Sequence, residues 1–472
     1  MSINQLLNIS RRSFQAFDAA MNTIGQNVAN ANSEGYSRRR ITLESDNVST
    51  RGLMNRPFGK TANGSGVNVA VYERLRDALL SRSGWHANGW MGASEEEHRI
   101  TLALQSIFTT QTEGSLSNQL DEFWNGWSDL ADNPADNGVR LALRSRAASL
   151  AGTLNRMAED VQHLTEETER AITGGVSDVN KLLAEVAELN VAVKSGNNVG
   201  SPNLSAEDRR DVLVGKLSEF GNFRINEQPD GTYSLTLDGM SVVDGDTART
   251  LSLDTSGASP KILIAGTPVE MKVPSEGGGR LVGWLRTLTT SLPDTRDSLN
   301  TIAETLVKEV NALHRTGFGL DGSTNVNFFN YSAGPPELGI EASTIRLSDE
   351  VQADSRAIAA AAGDTSLGVN DSDIANAILA LRESKLLSGN SESIETFAIN
   401  LLSGIGATAE RASNLYESHA SLASHVQAMA RGISGVAIEE EMTLLIQYQQ
   451  SFAAAARVLN AAEEMMDTLL SL

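Results

Sequence analysis

The stretch Ile438 to Leu470 reads IEEEMTLLIQYQQSFAAAARVLNAAEEMMDTLL. Every seventh residue is apolar, Ile438, Leu445, Phe452, Leu459 and Met466, with Tyr448, Ala455, Ala462 and Leu469 beside them. A sevenfold repeat is the pattern of helices that wrap around one another, because it keeps one stripe turned toward a partner. At about 1.5 Å per residue such a helix is roughly 50 Å long, and one helix cannot bury its own stripe. A second long helix is therefore required. The alanines Ala453 to Ala456, Ala461 and Ala462 let the two backbones approach closely. Glu439, Glu440 and Glu441 fall in the first turn, where carboxylates complement the positive end of the helix dipole.

A matching pattern stands at the other end of the chain. Leu7, Phe14, Met21 and Val28 recur at sevens, with a second row of Ile3, Ser10, Phe17, Ile24 and Ala31. Residues 1–76 hold 10 basic and 5 acidic side chains, a net of plus 5, whereas residues 431–472 hold 2 basic and 6 acidic, a net of minus 4. Complementary charge and paired stripes predict that the two terminal helices pack together, or against copies of themselves.

Between the ends, long Ala- and Leu-rich stretches with a period of 3.6, such as 139–172 and 281–313, read as helices. Asp132-Asn133-Pro134-Ala135-Asp136 marks a turn, with Asp136 or Asn137 as N-cap of the helix that follows, and Gly174-Gly175 and Gly196-Asn197-Asn198 are expected to interrupt that helix. Five of the 10 prolines (Pro202, Pro229, Pro260, Pro268, Pro274) cluster around a segment where Thr232 to Leu237 alternates and Asp230-Gly231, Asp238-Gly239 and Asp244-Gly245 separate short apolar runs. Asp-Gly between alternating segments is hairpin chemistry. The expected fold is mainly α with a β insert: terminal helices paired as a coiled coil (1–50 and 431–472), a long-helix bundle (51–207 and 280–430), and a small antiparallel β domain (208–279) on the outside.

Composition excludes several classes of function. With 38 basic against 59 acidic residues in 472, the net charge is −21, which repels a nucleic-acid polyanion. The absence of cysteine removes disulfides, thiolate metal sites and a cysteine nucleophile. No run approaches the roughly 18 apolar residues of a membrane span, so no membrane insertion is expected. The start Met1-Ser2-Ile3-Asn4-Gln5 lacks the basic and apolar regions of a cleavable signal, so the chain is expected to stay in the cytosol or leave by a route that reads none. The six histidines are scattered and form no metal-binding pair, and neither a metal nor a cofactor is expected. Gly317 to Gly322 spells GxGxxG without the strand before it or the helix after it that a dinucleotide needs, and Asp244-Gly245-Asp246 lacks the other ligands of a calcium loop. Glu95 and Glu97 would suit a glycosidase by residue type alone, but 59 acids make chance pairs common. Trp124 and Trp127, spaced i, i+3, read as core rather than a sugar platform. No catalytic residue is assigned.

The segment Asn27-Val28-Ala29-Asn30-Ala31-Asn32-Ser33-Glu34-Gly35-Tyr36-Ser37-Arg38 resembles the N-terminal signature of the bacterial flagellar axial proteins, the rod, hook and hook-associated subunits. Asn30 and Asn32 are suited to satisfy backbone groups at a helix end, and Gly35 to supply the left-handed residue that ends the helix and reverses the chain. Further stretches resemble one branch, the hook-associated protein 1 (FlgK) family: Phe123-Trp124 through Asn133-Pro134 to Arg140, Asp208-Arg209-Arg210-Asp211, Phe328-Phe329, and the finish from Ser434 through Gln447-Tyr448-Gln449-Gln450-Ser451-Phe452 to Leu470.

That resemblance implies a non-enzymatic building block at the junction between hook and filament, arranged as a ring of identical subunits beside the hook protein and the second junction protein. It also implies export through the flagellar type III apparatus, capture of the C-terminal region by a cytosolic chaperone of the FlgN kind, and an extracellular location in the flagellum. The assembly residues it points to are Leu7, Phe14, Phe17, Met21, Ile24 and Val28 on one helix and Ile438, Leu445, Phe452, Leu459 and Met466 on the other, with Asn27, Asn30, Asn32, Gly35 and Tyr36 as the motif. Arg38, Arg39 and Arg40 are either a solvated loop or a tie to acidic neighbouring subunits. Another axial subunit (the second junction protein, a hook subunit or a flagellin) and a secreted wall-lytic enzyme are the alternatives.

Overall fold

The computed structural model describes residues 3–45, 66–109, 114–257, 260–264, 270–274, 277–330, 339–363 and 371–470. In chain order, α1 (Ile3–Ala29) leads into a hairpin of β1 (Arg39–Ser45) and β2 (Val67–Arg74), and then α2 (Ala78–Thr109), α3 (Leu116–Asp132), α4 (Asn137–Asn198) and α5 (Leu204–Phe220) follow. The insert contains β3 (Phe223–Glu227), β4 (Tyr233–Leu237), β5 (Met240–Asp244), β6 (Thr247–Ala248), β7 (Leu251–Asp254) and β8 (Lys261–Ile264). After it come α6 (Arg280–Arg286), a five-residue π-turn (Thr287–Ser291), α7 (Leu292–His314), the short strands β9 (Phe318–Gly319), β10 (Phe329–Asn330) and β11 (Arg346–Leu347), α8 (Asp349–Ala353), β12 (Ala359–Ala361), α9 (Asp373–Ala380), α10 (Ile394–Ser434) and α11 (Ile438–Leu470).

Local chemistry explains the boundaries. α4 starts where Asp136 caps it, its carboxylate accepting from the Gly138 N–H at 2.7 Å. It then runs 62 residues, straight through Gly174-Gly175. The expected break is absent because Gly175 serves packing: a Cβ there would lie 2.4 Å from the Trp284 ring of α6. The expected start of the β domain at Asp208 is likewise displaced. Asp208 to Phe220 belong to α5, which Asn203 caps, and the strands begin at Phe223. The β1–β2 hairpin, whose second strand lies in a stretch expected to be helical, is a further difference.

The insert is a meander in the order β3-β4-β5-β6, all antiparallel, with β7 and β8 paired beside it. Asp238 and Gly239, with φ of +50° and +86°, form the tight turn between β4 and β5 that the Asp-Gly pair predicts. Tyr233, Leu235 and Leu237 alternate inward and are buried. Three consecutive left-handed glycines, Gly277 to Gly279, close the insert. A Cβ on Gly279 would sit 2.2 Å from the Phe220 carbonyl carbon, so the return strand fits only as glycine.

The main core lies between α3, α4 and α7. Phe123, Trp124, Trp127, Phe328 and Phe329 are fully buried and stack in edge-to-face and tilted pairs 4.8 to 6.3 Å apart. The two tryptophans are thus core, as their spacing suggests. Around them Arg140 is buried with its guanidinium donating to the carbonyls of Pro134 and Ile358. Burial lowers its pKa to about 10. Gly317 to Gly322 forms β9 and a turn, with no helix following, and Gly245 turns the chain between β5 and β6.

Candidate assembly interface

α1 and α11 lie side by side and antiparallel. Phe14 packs edge-on against Phe452 with ring centres 4.7 Å apart, Phe17 meets Tyr448 at 6.2 Å, and Asn27 reaches Glu441 at 2.8 Å, so numbers rise along one helix as they fall along the other. On α1 the most deeply buried positions are Ser10, Ala16, Ala20, Thr23, Ile24 and Asn27. Leu7, Phe14, Phe17, Met21 and Val28 flank these positions half-buried. On α11, Leu445, Phe452, Leu459 and Met466 are half-buried, Ala462 is fully buried, and Ile438 stands 46% exposed, outside the pair.

The signature residues converge on one polar hub. The Asn27 carboxamide, 1% exposed, accepts from the Tyr36 hydroxyl and the Arg39 N–H at 2.9 Å each, and its NH₂ donates to the Arg39 carbonyl at 2.9 Å and to Glu441 Oε2. Every bonding group of that side chain is used. Glu441, also 1% exposed, accepts from Arg38 Nε at 2.7 Å through its other oxygen, and Arg38 reaches Glu440 at 2.8 Å. A buried carboxylate is tolerable only with such partners. The acidic first turn of α11 thus does more than complement a dipole: it clasps the turn after α1.

Asn30, at the end of α1, donates from its side chain to the Gln26 carbonyl at 2.9 Å, whereas Asn32 is exposed. α1 itself ends at Ala29, so Gly35 does not terminate it. Gly35 (φ +75°) reverses the chain six residues later, where a Cβ would lie 2.0 Å from Val212 Cγ2 of α5. Arg38, Arg39 and Arg40 each have an acidic or polar partner within the chain. Arg38 pairs with α11, Arg39 bonds Ser205 and lies 3.5 Å from Asp208 on α5, and Arg40 pairs with Glu73 on β2. Next to them Arg74 contacts Glu207, Asp208 and Asp211 at 2.8 to 3.0 Å. Burial works against its charge, but these three carboxylates outweigh it and raise its pKa. The terminal pair, the hairpin and α5 are joined here by charge-assisted bonds. The acidic ends of these pairs lie up to 403 positions away, beyond the reach of local pattern reading.

Neither carboxylate of the glycosidase-like pair is unengaged: Glu95 bonds Arg280 at 3.0 Å and Glu97 pairs with Arg286. Among the described residues no three His, Asp or Glu side chains gather as a metal site, and no helix is long and apolar enough to cross a membrane.

The chain is similar to known proteins over most of its length. Residues 102–329 match the family described as flagellar hook-associated protein FlgK helical domain, and residues 432–472 match the C-terminal family of the flagellar basal body rod FlgEFG proteins. The chain resembles the FlgK family. It is 25% identical to flagellar hook-associated protein 1 of Bacillus subtilis, over 98% of this chain and 97% of that one, and 24% identical to its counterpart in Salmonella typhimurium, over the full length of both. The solved flagellar hook junction protein FlgK of Burkholderia pseudomallei shares the fold, with a TM-score of 0.65 and 15% identity over 75% of this chain and all of that one. The match to the FlgEFG C-terminal family, residues 432–472, covers α11, the helix whose partner is α1.

Proposed function

We propose that the chain is a structural, non-enzymatic subunit of the junction between flagellar hook and filament, assembled as a ring through its terminal helices. The observation that carries this reading is the antiparallel α1–α11 pair clasped by Asn27 and Glu441 in a chain that resembles the FlgK family. Beyond that pair, Met429 and Ile433 of α10 and Ile438, Met442 and Ile446 of α11 stay 41 to 51% exposed, a row suited to cover by a neighbouring subunit. In this reading, residues 1–50 and 431–472 form the inner layer, 51–207 and 280–430 the bundle around it, and 208–279 the outermost part, its first residues being helix α5. Leu7, Phe14, Phe17, Met21, Ile24, Val28, Leu445, Phe452, Leu459 and Met466 hold the inner layer together. The neighbours are the hook protein and the second junction protein.

The same reading takes the chain out of the cell through the flagellar type III apparatus, with a FlgN-type chaperone holding the C-terminal region first. A cysteine-free chain passes such a channel without being trapped by a disulfide. The test is deletion of the gene in its host, complemented by the full chain or by a chain lacking residues 438–472. Hooks without filaments, with filament subunit lost to the medium, are expected in the deletion and with the truncated chain. Normal filaments in either case would overturn the assignment.

A further inference from the structure

The insert leaves one sheet edge beside a cleft. β3 is the first strand of the meander and, among the described residues, pairs only with β4. The Gln228 N–H donates to the Thr232 carbonyl at 2.8 Å, and bonded positions alternate along an antiparallel pair. Arg224 and Asn226 therefore bond toward β4, and the backbone groups of Ile225 and Glu227 point away from it. A cleft of about 230 Å³ borders Asn222, Phe223, Arg224, Ile225 and Asn226 in succession. A cleft over one face of a sheet would meet only alternate residues, so this one follows the edge. Its other wall is the first half of α2, with Arg82, Trp85, His86 and Trp90.

The cleft is basic at its rim in a chain of net charge −21. Arg82 and Arg224 are both exposed, and neither pairs with a carboxylate among the described residues; Arg82 donates only to the Ala78 carbonyl of its own helix. Trp85 is half-buried and Trp90 is 45% exposed. Main-chain bonds to a sheet edge supply affinity for an extended peptide, and the side-chain environment supplies choice. Charge on an edge strand discourages indiscriminate pairing; here it selects the opposite sign.

We propose that the β3 edge binds an extended acidic peptide segment of a partner protein as a fifth strand, its apolar side chains against Trp85 and Trp90 and its carboxylates against Arg82 and Arg224. The test uses the full chain and a fluorescent Val-Asp-Val-Glu-Val-Asp-Val peptide, followed by anisotropy and by hydrogen exchange. Binding with slowed exchange at the Ile225 amide is expected. A peptide with lysine at the three acidic positions, and one with alternate amides N-methylated, should each bind at least tenfold more weakly, as should the Arg224→Glu variant with an unchanged melting temperature. No binding, equal affinity for acidic and lysine peptides, or undiminished binding of the N-methylated peptide would overturn the proposal. So would protection of Ile225 that rises with protein concentration alone, which would make a second copy the occupant.

Discussion

His314 shows how one residue sets a limit on the fold. It is fully buried at the end of α7, its Nδ1–H donating to the Val326 carbonyl at 2.7 Å and its Nε2 accepting from the Ala359 N–H at 2.8 Å. Only the neutral ring can do both, because a second proton would set N–H against N–H. Burial, aided by the nearby Arg140 charge, pushes its pKa down from 6.5 to about 4 despite the Val326 bond. Between those values the unfolded chain takes up a proton that the folded one refuses. Stability therefore falls as pH drops from about 6.5 to about 4, by on the order of 3 kcal/mol in all. Urea titrations at pH 7 and pH 4.5 check this: wild type should lose stability relative to His314→Gln as the pH is lowered. Parallel losses would show that His314 carries none of the acid sensitivity. The Asn27 hub obeys the same rule of full satisfaction. Its sequence signature was legible, but its reason was not, since Glu441 meets Asn27 only once α1 and α11 pair.

At the scale of elements, α4 is the instructive case. Two adjacent glycines read as an interruption because each costs a helix about 1 kcal/mol relative to alanine. Gly174 has open space where a side chain would be, while Gly175 lies against Trp284. Propensity predicts that both alanine substitutions stabilise; packing predicts opposite signs. Gly174→Ala should raise the melting temperature slightly, and Gly175→Ala should destabilise by about 1 to 3 kcal/mol through displacement of the indole. Thermal melts of the two variants decide it, and a stabilised Gly175→Ala would remove the packing account. Similar reasoning applies to α1. A count of large apolar residues at sevens finds Leu7, Phe14 and Met21, whereas the most deeply buried apolar positions are Ala16, Ala20 and Ile24. Periodicity identifies which helices need partners; which small residues permit the approach depends on the partner's shape. Caps such as Asp136 and turns such as Asp238-Gly239 were legible because their chemistry is local. The β1–β2 hairpin was not, because its strands pair residues 39–45 with residues 67–74.

For the whole molecule, the proposed assembly role divides α11 into a side that folds the chain and a side that meets a neighbouring subunit. The Phe14–Phe452 and Asn27–Glu441 contacts lie on the side facing α1 and are made within one chain. Met442 and Ile446, 44% and 51% exposed, extend with Ile438 along another side and contribute little to the fold of the single chain. Replacing a surface residue away from packing changes stability by roughly half a kcal/mol or less, whereas a charge placed on a surface that becomes buried between subunits carries a desolvation cost of several kcal/mol. The double change Met442→Glu with Ile446→Glu should therefore leave the melting temperature within a few degrees of wild type and abolish incorporation into the flagellum, with filament subunit lost to the medium. Phe452→Ala should do the reverse in order of effect: it removes the ring packed on Phe14 in the α1–α11 pair, lowers stability by about 1 to 2 kcal/mol for a half-buried ring, and weakens assembly only as a consequence. Measuring both quantities on both variants separates the two surfaces. Normal assembly with Met442→Glu and Ile446→Glu would mean that this side of α11 faces solvent in the flagellum, and that subunits meet through another part of the chain.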